Sequence, residues 1–390
     1  MKKIPWKKLL LTVFLWRVFL FIISFYADSF LIYDPSFPYY RSILARLGFP
    51  RWIFSWGNFD GVHYLTIVKK GYLGTGLIQA FFPVFPMILR FFRSLSIDLF
   101  FPITLGFQFL VTWVLSGTLF YFVKETLGKS KKIAWWSAIS LLIFPASFFM
   151  GALYGDGLFL LFILLSFIFA KKKRWLLAGI FGAMASATRV VGIAILPALL
   201  IELWLSRKNK LSYSGVVNFI KKDWLNIIKI SLSSLGLLAY MFYLQKTFND
   251  PLYFFYVQSE FGAGREEGLI LLPQVIWRYL KIFMTAPVDL KMFAYVQEFL
   301  FSIGAFCLLI FSWKKVRLSY LLFSLLVLLI PTFTGTFSSM PRYIMVAFPI
   351  YFLLGEWFSK KSSFKVFALV LSLLLLIINT LLFIQGYWVA

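Results

Sequence analysis

The sequence predicts an all-α protein that crosses a membrane many times. Of its 390 residues, 61% are hydrophobic and 21% are aromatic, and the mean hydropathy is +0.86. A soluble globular domain is closer to half apolar. The apolar residues form runs near the ~20 residues that a helix needs to cross a bilayer. We therefore expect one helical membrane domain over residues 1–390, with no internal disulfide because Cys307 is the single cysteine.

Eleven apolar segments are predicted to span the membrane. The first follows a basic N-terminus, but it is long, contains Arg17 and lacks a small-residue cleavage site, which favours an uncleaved helix over a signal peptide. Short spans are acceptable where broken helices lie inside a bundle. In chain order the predicted spans are 9–26, 99–122, 133–150, 157–170, 175–188, 190–205, 228–245, 295–312, 318–332, 343–358 and 366–385.

The basic residues predict the orientation of these spans. With the N-terminus in the cytoplasm, the cytoplasmic segments hold 24 of the 39 lysines and arginines, as expected from the enrichment of these residues in cytoplasmic loops. The net charge of +24 is thus explained as an orientation signal, and no nucleic-acid partner is expected. The cytoplasmic segments are 1–8, 123–132, 171–174, 206–229, 313–317 and 359–365.

Two longer segments, 27–98 and 246–294, are predicted on the outer face. Both are rich in aromatic residues, prolines and charge, which is typical of ordered segments on a membrane surface. The run 77–92 is apolar enough to cross, but crossing would put the basic segments on the wrong side. We therefore predict an interfacial or partly inserted helix there, with Pro83 and Pro86 in its first turn.

Polar residues outside the cytoplasmic clusters gather at the predicted outer ends of the spans. The stretch WGNFDGVHYLTIVKKGY at 56–72 places Asp60 one helical turn before the single histidine, His63. A carboxylate can take a proton from a hydroxyl, and arginines can hold a phosphate through paired hydrogen bonds. The polar set comprises Asp60, His63, Lys69, Lys70, Asp156, Arg189, Arg265 and Arg342.

These residues also have purely structural interpretations. Asp60 and Asp156 could cap the helices that begin beside them, and Arg342 could anchor a helix at the interface. His63 could be a packed ring, because the sequence offers no further ligands for a metal site. Arg189 is harder to explain in this way, since it lies in an apolar hairpin with no acid nearby in sequence.

The segment FDGVHYLTIVKKGY resembles the motif of the PIG-V-like mannosyltransferases, roughly Trp-Asp-x-x-Trp-Tyr-x-x-Ile-Ala-x-x-Gly-Tyr. Phe59 and His63 stand where the family has tryptophan, and Val68 replaces alanine. The matching residues are Asp60, Tyr64, Ile67, Gly71 and Tyr72.

Further segments resemble later motifs of the same family, in the same order. In FPASFFMGALYGDGLF, Asp156 replaces a glutamate and Ala146 shifts the pattern, whereas ATRVVGI matches a Thr-Arg-x-x-Gly element. Together with the first motif they extend from residue 56 to residue 354. These segments are 80–90, 144–159, 187–193, 248–265 and 341–354.

The resemblance implies a GT-C-type bundle that transfers mannose or a related sugar from a polyprenyl phosphate on the outer face. Asp60 takes the position of the catalytic acid, and it would act as general base in an inverting displacement. The acceptor would be a glycan, a lipid or a protein, and membrane lipids would surround the chain. No cofactor is implied, and a need for a divalent metal stays open. The implied substrate-binding residues are Arg342, Arg189, Arg265, Asp156, Tyr64, His63 and Gln258.

Two other classes of function share many of these features. A transporter or flippase for lipid-linked sugars would have a similar outer face, but it should show repeat symmetry, and the sequence contains no internal repeat. A non-catalytic assembly subunit would be favoured if the acid of the first outer segment were missing, but Asp60 is present.

Overall fold

The computed structural model describes residues 4–207, 213–261, 264–266, 268–360 and 363–389, and every regular element within these ranges is helical. The prediction of a helical membrane protein is therefore confirmed at the level of class. Shorter apolar helices at Trp175–Ser186, Val190–Ser206 and Leu318–Thr332 also coincide with predicted spans. Within the described ranges, five helical stretches are long and apolar enough to cross a membrane: Trp6–Ser29, Phe100–Thr126, Gly215–Phe248, Leu290–Phe311 and Phe364–Ile384.

Each predicted span overlaps a described helix, but four spans are interrupted. The span 228–245 contains the 3₁₀ turn Leu232–Ser234 between two α-helices, and the span 190–205 begins with the 3₁₀ helix Val190–Ala194. The span 343–358 is divided at Ala347, whose ψ of 71° leaves the helical region. The span 133–150 stays α-helical only to Leu142. The α-helices are α1 (Trp6–Tyr26), α2 (Tyr40–Ile43), α3 (Arg51–Phe54), α4 (Asp60–Lys70), α5 (Val84–Leu95), α6 (Phe100–Tyr121), α7 (Lys131–Leu142), α8 (Asp156–Lys171), α9 (Trp175–Ser186), α10 (Ile195–Arg207), α11 (Tyr213–Ser231), α12 (Leu235–Phe248), α13 (Tyr253–Tyr256), α14 (Leu272–Thr285), α15 (Leu290–Phe311), α16 (Leu318–Thr332), α17 (Met340–Val346), α18 (Pro349–Phe358) and α19 (Ser363–Ile384).

Helix α5 lies within the first segment predicted on the outer face. Pro83 is its N-cap residue and Pro86 lies in its first turn, as predicted. Its 12 residues extend over about 18 Å, which is too short to cross a hydrocarbon core of about 30 Å. Met87, Phe91 and Leu95 project from it as exposed apolar side chains, so the helix has an apolar face that no other part of the described chain covers.

Helix α8 forms the centre of the bundle. It packs against α6, α9 and α10, and most of its 16 residues are buried. A helix that is apolar on every side belongs inside a bundle. This position carries Asp156, the first residue of the helix, into the interior, and Lys171 lies at the other end, about 24 Å away.

Ion pairs join several of the segments predicted to be cytoplasmic. The carboxylate of Glu202 lies 2.5 Å from Arg317 and 3.9 Å from Lys171. Lys129 pairs with Glu356 at 2.6 Å. These contacts involve residues from five separate basic segments or from the helices beside them.

Arg17 lies inside the bundle on α1, with 5% of its surface exposed. Its guanidinium lies near the rings of both Phe21 and Trp56, with Cζ 4.2 Å and 4.3 Å from the ring centroids, and the two rings meet edge to face. The sequence had left open whether Arg17 extends to the interface or pairs within the bundle. The structure places it in a cation–π stack against the segment that leads to Asp60.

Candidate active site

A cavity of about 720 Å³ opens at the end of α8 that carries Asp156. Its walls come from both segments predicted to be outside, from the loop before α10, from α17 and from the last residues of the chain. The family resemblance implied eight catalytic and substrate-binding residues. Seven of these eight line this one cavity, although Asp60 and Arg342 are far apart in sequence. These seven residues are Asp60, His63, Tyr64, Arg189, Gln258, Arg265 and Arg342.

Asp60 presents its carboxylate to this cavity. It is the first residue of α4, so the positive end of the helix dipole favours its negative charge. The N-cap residue is Phe59, and no side chain caps this helix end, so the capping role considered for Asp60 does not apply. The Oδ2 atom lies 2.8 Å from Nη1 of Arg342, and 22% of the side chain is exposed. Asp60 can therefore contact both a substrate and an arginine.

The loop before Asp60 is held by hydrogen bonds to distant parts of the chain. The backbone N–H of Asp60 donates to the hydroxyl of Tyr154 at 3.2 Å, and this hydroxyl donates to the carbonyl of Asn58 at 3.2 Å. Burial raises the pKa of Tyr154 well above its usual value, so it remains a donor. The amide of Asn58 donates to the carbonyl of Phe383 at 2.8 Å, at the end of α19. The position of Asp60 is thus fixed by both the centre and the last helix of the bundle.

Asp156 joins two arginines below the cavity floor. Its Oδ2 accepts a hydrogen bond from Nη2 of Arg342 at 3.3 Å, and its Oδ1 pairs with Nη1 of Arg189. Only 1% of the Asp156 side chain is exposed, and it does not line the cavity. The expectation that Asp156 touches the donor itself is therefore revised: it acts through the arginines. The sequence showed no partner for Arg189. In the structure its partner is Asp156, the first residue of α8.

Arginines dominate this part of the cavity. Arg189 and Arg342 pair with the two carboxylates Asp60 and Asp156, and Arg265 lines the same cavity with Gln258 as its hydrogen-bond partner. A guanidinium can also offer two parallel N–H donors to phosphate oxygens.

Aromatic rings form one wall of the cavity. The ring of His63 stacks on Phe81, with centroids 5.0 Å apart, and meets the edge of Phe261 at 5.7 Å. The guanidinium of Arg265 lies 6.0 Å from the Phe261 ring, and its Nη1 donates to Oε1 of Gln258 at 3.4 Å. This wall combines apolar surface with one cation.

His63 and Tyr64 are buried side chains of α4. Burial lowers the pKa of His63 from its ordinary 6.5, although the negative charge of Asp60 opposes this change. The imidazole is therefore neutral at pH 7. Tyr64 packs edge-on against Phe81 and Phe85, with centroids 5.1 Å and 4.9 Å apart. Packing thus accounts for both rings, as the structural interpretation of His63 proposed.

The structure adds two lining residues that the sequence analysis missed. Glu298 lies in the middle of α15, and its carboxylate is almost fully buried at the cavity wall. Trp388 follows the last helix, and its ring meets Phe59 edge-on with centroids 5.7 Å apart. The available signals were an acid inside an apolar helix, which is typically functional, and a tryptophan close to the interface.

The described residues contain no group of three or more His, Cys, Asp or Glu side chains that could hold a metal ion. Both carboxylates at the arginine cluster are engaged by guanidinium groups.

No protein-family model matches this chain, and no curated protein matches it either. Assignment of a function therefore depends on the motif residues and on the geometry of this cavity.

Proposed function

We propose that this protein is an integral membrane glycosyltransferase of the GT-C type, related to the PIG-V-like mannosyltransferases. It transfers mannose or a related sugar from a polyprenyl phosphate to a glycan, lipid or protein acceptor. The observation that carries the proposal is the placement of Asp60: a partly exposed carboxylate, held by Arg342, at the position of the motif acid and inside a cavity of suitable size.

Asp60 acts as the general base of this reaction. The acceptor oxygen forms a bond to the anomeric carbon while the bond from that carbon to the phosphate oxygen breaks. The acceptor proton moves to the Asp60 carboxylate, and the electron pair of the broken bond stays on the phosphate. A single displacement with one base inverts the configuration at the anomeric carbon. The transition state has oxocarbenium character, as in glycoside hydrolysis.

The arginines bind the phosphate and stabilise it as it leaves. The phosphate gains negative charge when the bond breaks, and fixed cations in a partly buried site stabilise that charge without reorganisation. Arg342 is the first candidate because it contacts both Asp60 and Asp156, so it links the base to the phosphate site. Asp156 holds Arg342 and Arg189 in place before the donor binds.

The surface near the cavity is suited to a lipid-linked donor. Helix α5 exposes Phe91, and helix α14 exposes Trp277 and Met284, so apolar side chains of both predicted outer segments face outward. Aromatic and apolar residues at this depth hold a protein at the membrane interface, where a lipid phosphate is found.

Eleven spans with a cytoplasmic N-terminus complete the proposal, in a cell membrane of bacterial type. The ion pairs around Glu202 and the cavity at Asp156 lie at opposite ends of α8, which supports an inner and an outer face. The active site is then on the outer face, where a flipped lipid donor needs no nucleotide.

Substitution of Asp60 tests the function. Purified wild type, Asp60→Asn and Asp98→Asn would be compared in the release of polyprenyl phosphate from radiolabelled polyprenyl phosphate mannose and from other hexosyl and pentosyl donors, with methyl pyranosides, membrane lipids and peptides supplied as acceptors. Asp98 is the matched control, because it is an exposed acid in the same outer segment. Asp60→Asn should lose about 10²–10⁴-fold in rate, since it keeps the shape but not the base.

Two results would contradict the proposal. Release by Asp60→Asn at the wild-type rate would show that Asp60 is not the base. Failure of the folded wild type to release lipid phosphate from any donor in the series would reject the glycosyltransferase function and favour a transporter or an assembly subunit.

A further inference from the structure

A second part of the cavity wall has a character unlike the arginine cluster. It is formed by Asp34, Asp289, Glu298, Tyr387 and Trp388, which we call the acidic wall. It carries three carboxylates, and the sequence motifs account for none of its residues. Lys291 and Arg265 also line the cavity, and the charge of Arg265 acts on the Glu298 carboxylate, so the three acids of this wall outnumber the cations near them. A negatively charged ligand is disfavoured here.

The acidic wall is rigid because the last residues of the chain are bound to the first outer segment. The backbone N–H of Asp34 donates to the carbonyl of Gln385 at 2.9 Å, and that of Ser36 donates to the carbonyl of Gly386 at 3.0 Å. Gly386 has a φ of +86°, which a glycine adopts without strain where a helix ends. Trp388 is therefore held at a defined place, with part of its ring open to the cavity.

The indole and the carboxylate of this wall are oriented by each other. Nε1 of Trp388 donates to Oε1 of Glu298 at 3.4 Å, and the hydroxyl of Tyr279 donates to Oε2 at 2.6 Å. The backbone N–H of Ser339 also donates to Oε1, at 3.2 Å. A carboxylate has about four acceptor positions, so Glu298 can accept one more hydrogen bond from a ligand. An aromatic face beside a carboxylate suits a sugar ring, which has one apolar face and hydroxyl groups at its edge.

The stereochemistry of the reaction decides which substrate, donor or acceptor, lies against the acidic wall. In an inverting displacement, the acceptor and the leaving phosphate lie on opposite sides of the anomeric carbon. The phosphate belongs with Arg189 and Arg342, so the acceptor belongs on the other side of the sugar, against a wall that still reaches Asp60. The ring of Phe59, the residue before Asp60, contacts Trp388.

We propose that Trp388 and Glu298 bind the acceptor, and that this acceptor presents a sugar ring without acidic groups. The inference rests on the proposed glycosyltransferase function, because that function assigns the arginines to phosphate. It adds the chemical class of the acceptor, which the motif residues do not define. A ring that carries a carboxylate or phosphate is rejected by the three acids of the wall.

Binding of simple probes tests the inference. The sugar probes are the methyl pyranosides of mannose, glucose and galactose, together with methyl glucuronide, measured by saturation-transfer NMR. The lipid phosphate probe is citronellyl phosphate, without a sugar. The variants are Trp388→Ala, Trp388→Phe and, as a control, Trp313→Ala, which alters an exposed tryptophan outside the cavity.

At least one neutral pyranoside should bind the wild type, and the glucuronide should not. Trp388→Ala should weaken the neutral sugar at least tenfold, and Trp388→Phe should keep binding within about threefold because a ring face remains. Neither variant should change binding of citronellyl phosphate, and Trp313→Ala should change nothing.

Several outcomes would overturn the inference. These are no binding of any neutral pyranoside, equal binding of the glucuronide, or unchanged sugar binding in Trp388→Ala. Parallel loss of sugar and lipid phosphate in Trp388→Ala would show a structural role instead. If citronellyl phosphate fails to bind the wild type, the assignment of the arginines and the proposed function fail, which is a separate result.

Discussion

Replacement of Asp156 by asparagine is expected to destabilise the fold, whereas the same change at Asp60 should mainly affect the reaction. Asp156 is 1% exposed and pairs with Arg189 and Arg342, whose side chains are 12% and 8% exposed. Asparagine keeps the size of the side chain and removes its charge. The variant therefore leaves Arg342 with Asp60 and leaves Arg189 without a carboxylate partner among the described residues.

The expected loss follows from the burial of these groups. Removal of one partner from a buried ion pair costs about 3–5 kcal/mol, because the remaining charge stays buried without compensation. Asparagine can still accept one hydrogen bond, so we expect about 3 kcal/mol. At ~2 °C per kcal/mol for a large domain, the melting temperature falls by about 6 °C. Asp60→Asn should lower the free energy of unfolding by less than ~1.5 kcal/mol, because the Asp60 side chain is 22% exposed and Arg342 still pairs with Asp156.

Thermal unfolding of the purified protein in detergent, followed by tryptophan fluorescence, measures these changes. Asp98→Asn is the control, and a surface change of this kind should stay within about 0.5 kcal/mol. The double variant Asp156→Asn with Arg189→Met should recover part of the loss, since it removes one of the unpaired charges. A melting temperature of Asp156→Asn equal to that of the wild type, or no coupling in the double variant, would refute the buried network.

His63 and the topology give two further predictions. His63→Phe should retain sugar transfer, because packing accounts for the ring, and an inactive variant that still binds donor would contradict this. The pKa of His63 is lowered by burial, so the unfolded chain binds more protons than the folded one below about pH 6.5. The folding stability of the wild type should therefore decrease as the pH is lowered below about 6.5. His63→Phe should lack this decrease, and identical pH profiles of the two proteins would argue against it. In a Cys307→Ser chain, single cysteines at Lys172 and Val288 should react with an impermeant maleimide from opposite faces, and labelling from one face would reject the proposed orientation.

The sequence alone determined the class of the protein and predicted seven of the residues that line the cavity. Membrane helices are encoded locally, by ~20 apolar residues and the charges at their ends, so their positions can be derived without tertiary structure. The helix at 84–95 could also be predicted from local sequence, because Pro83 and Pro86 mark its start. Asp60 and Arg342 were recognisable because acids and arginines at the outer ends of apolar helices need a partner or a function.

Only the tertiary structure decided which of these residues meet. Asp60 and Arg342 come together because α4 and α17 pack at the same end of α8, and one sequence does not reveal the pairing of helices. The same reason placed Asp156 beneath the cavity floor, although its helix-start position had suggested an exposed acid. Glu298 and Trp388 were missed because their role depends on contact between the last residues of the chain and its first outer segment, more than 340 residues away. Local patterns determine helices, whereas the site is made by complementary surfaces between helices distant in sequence.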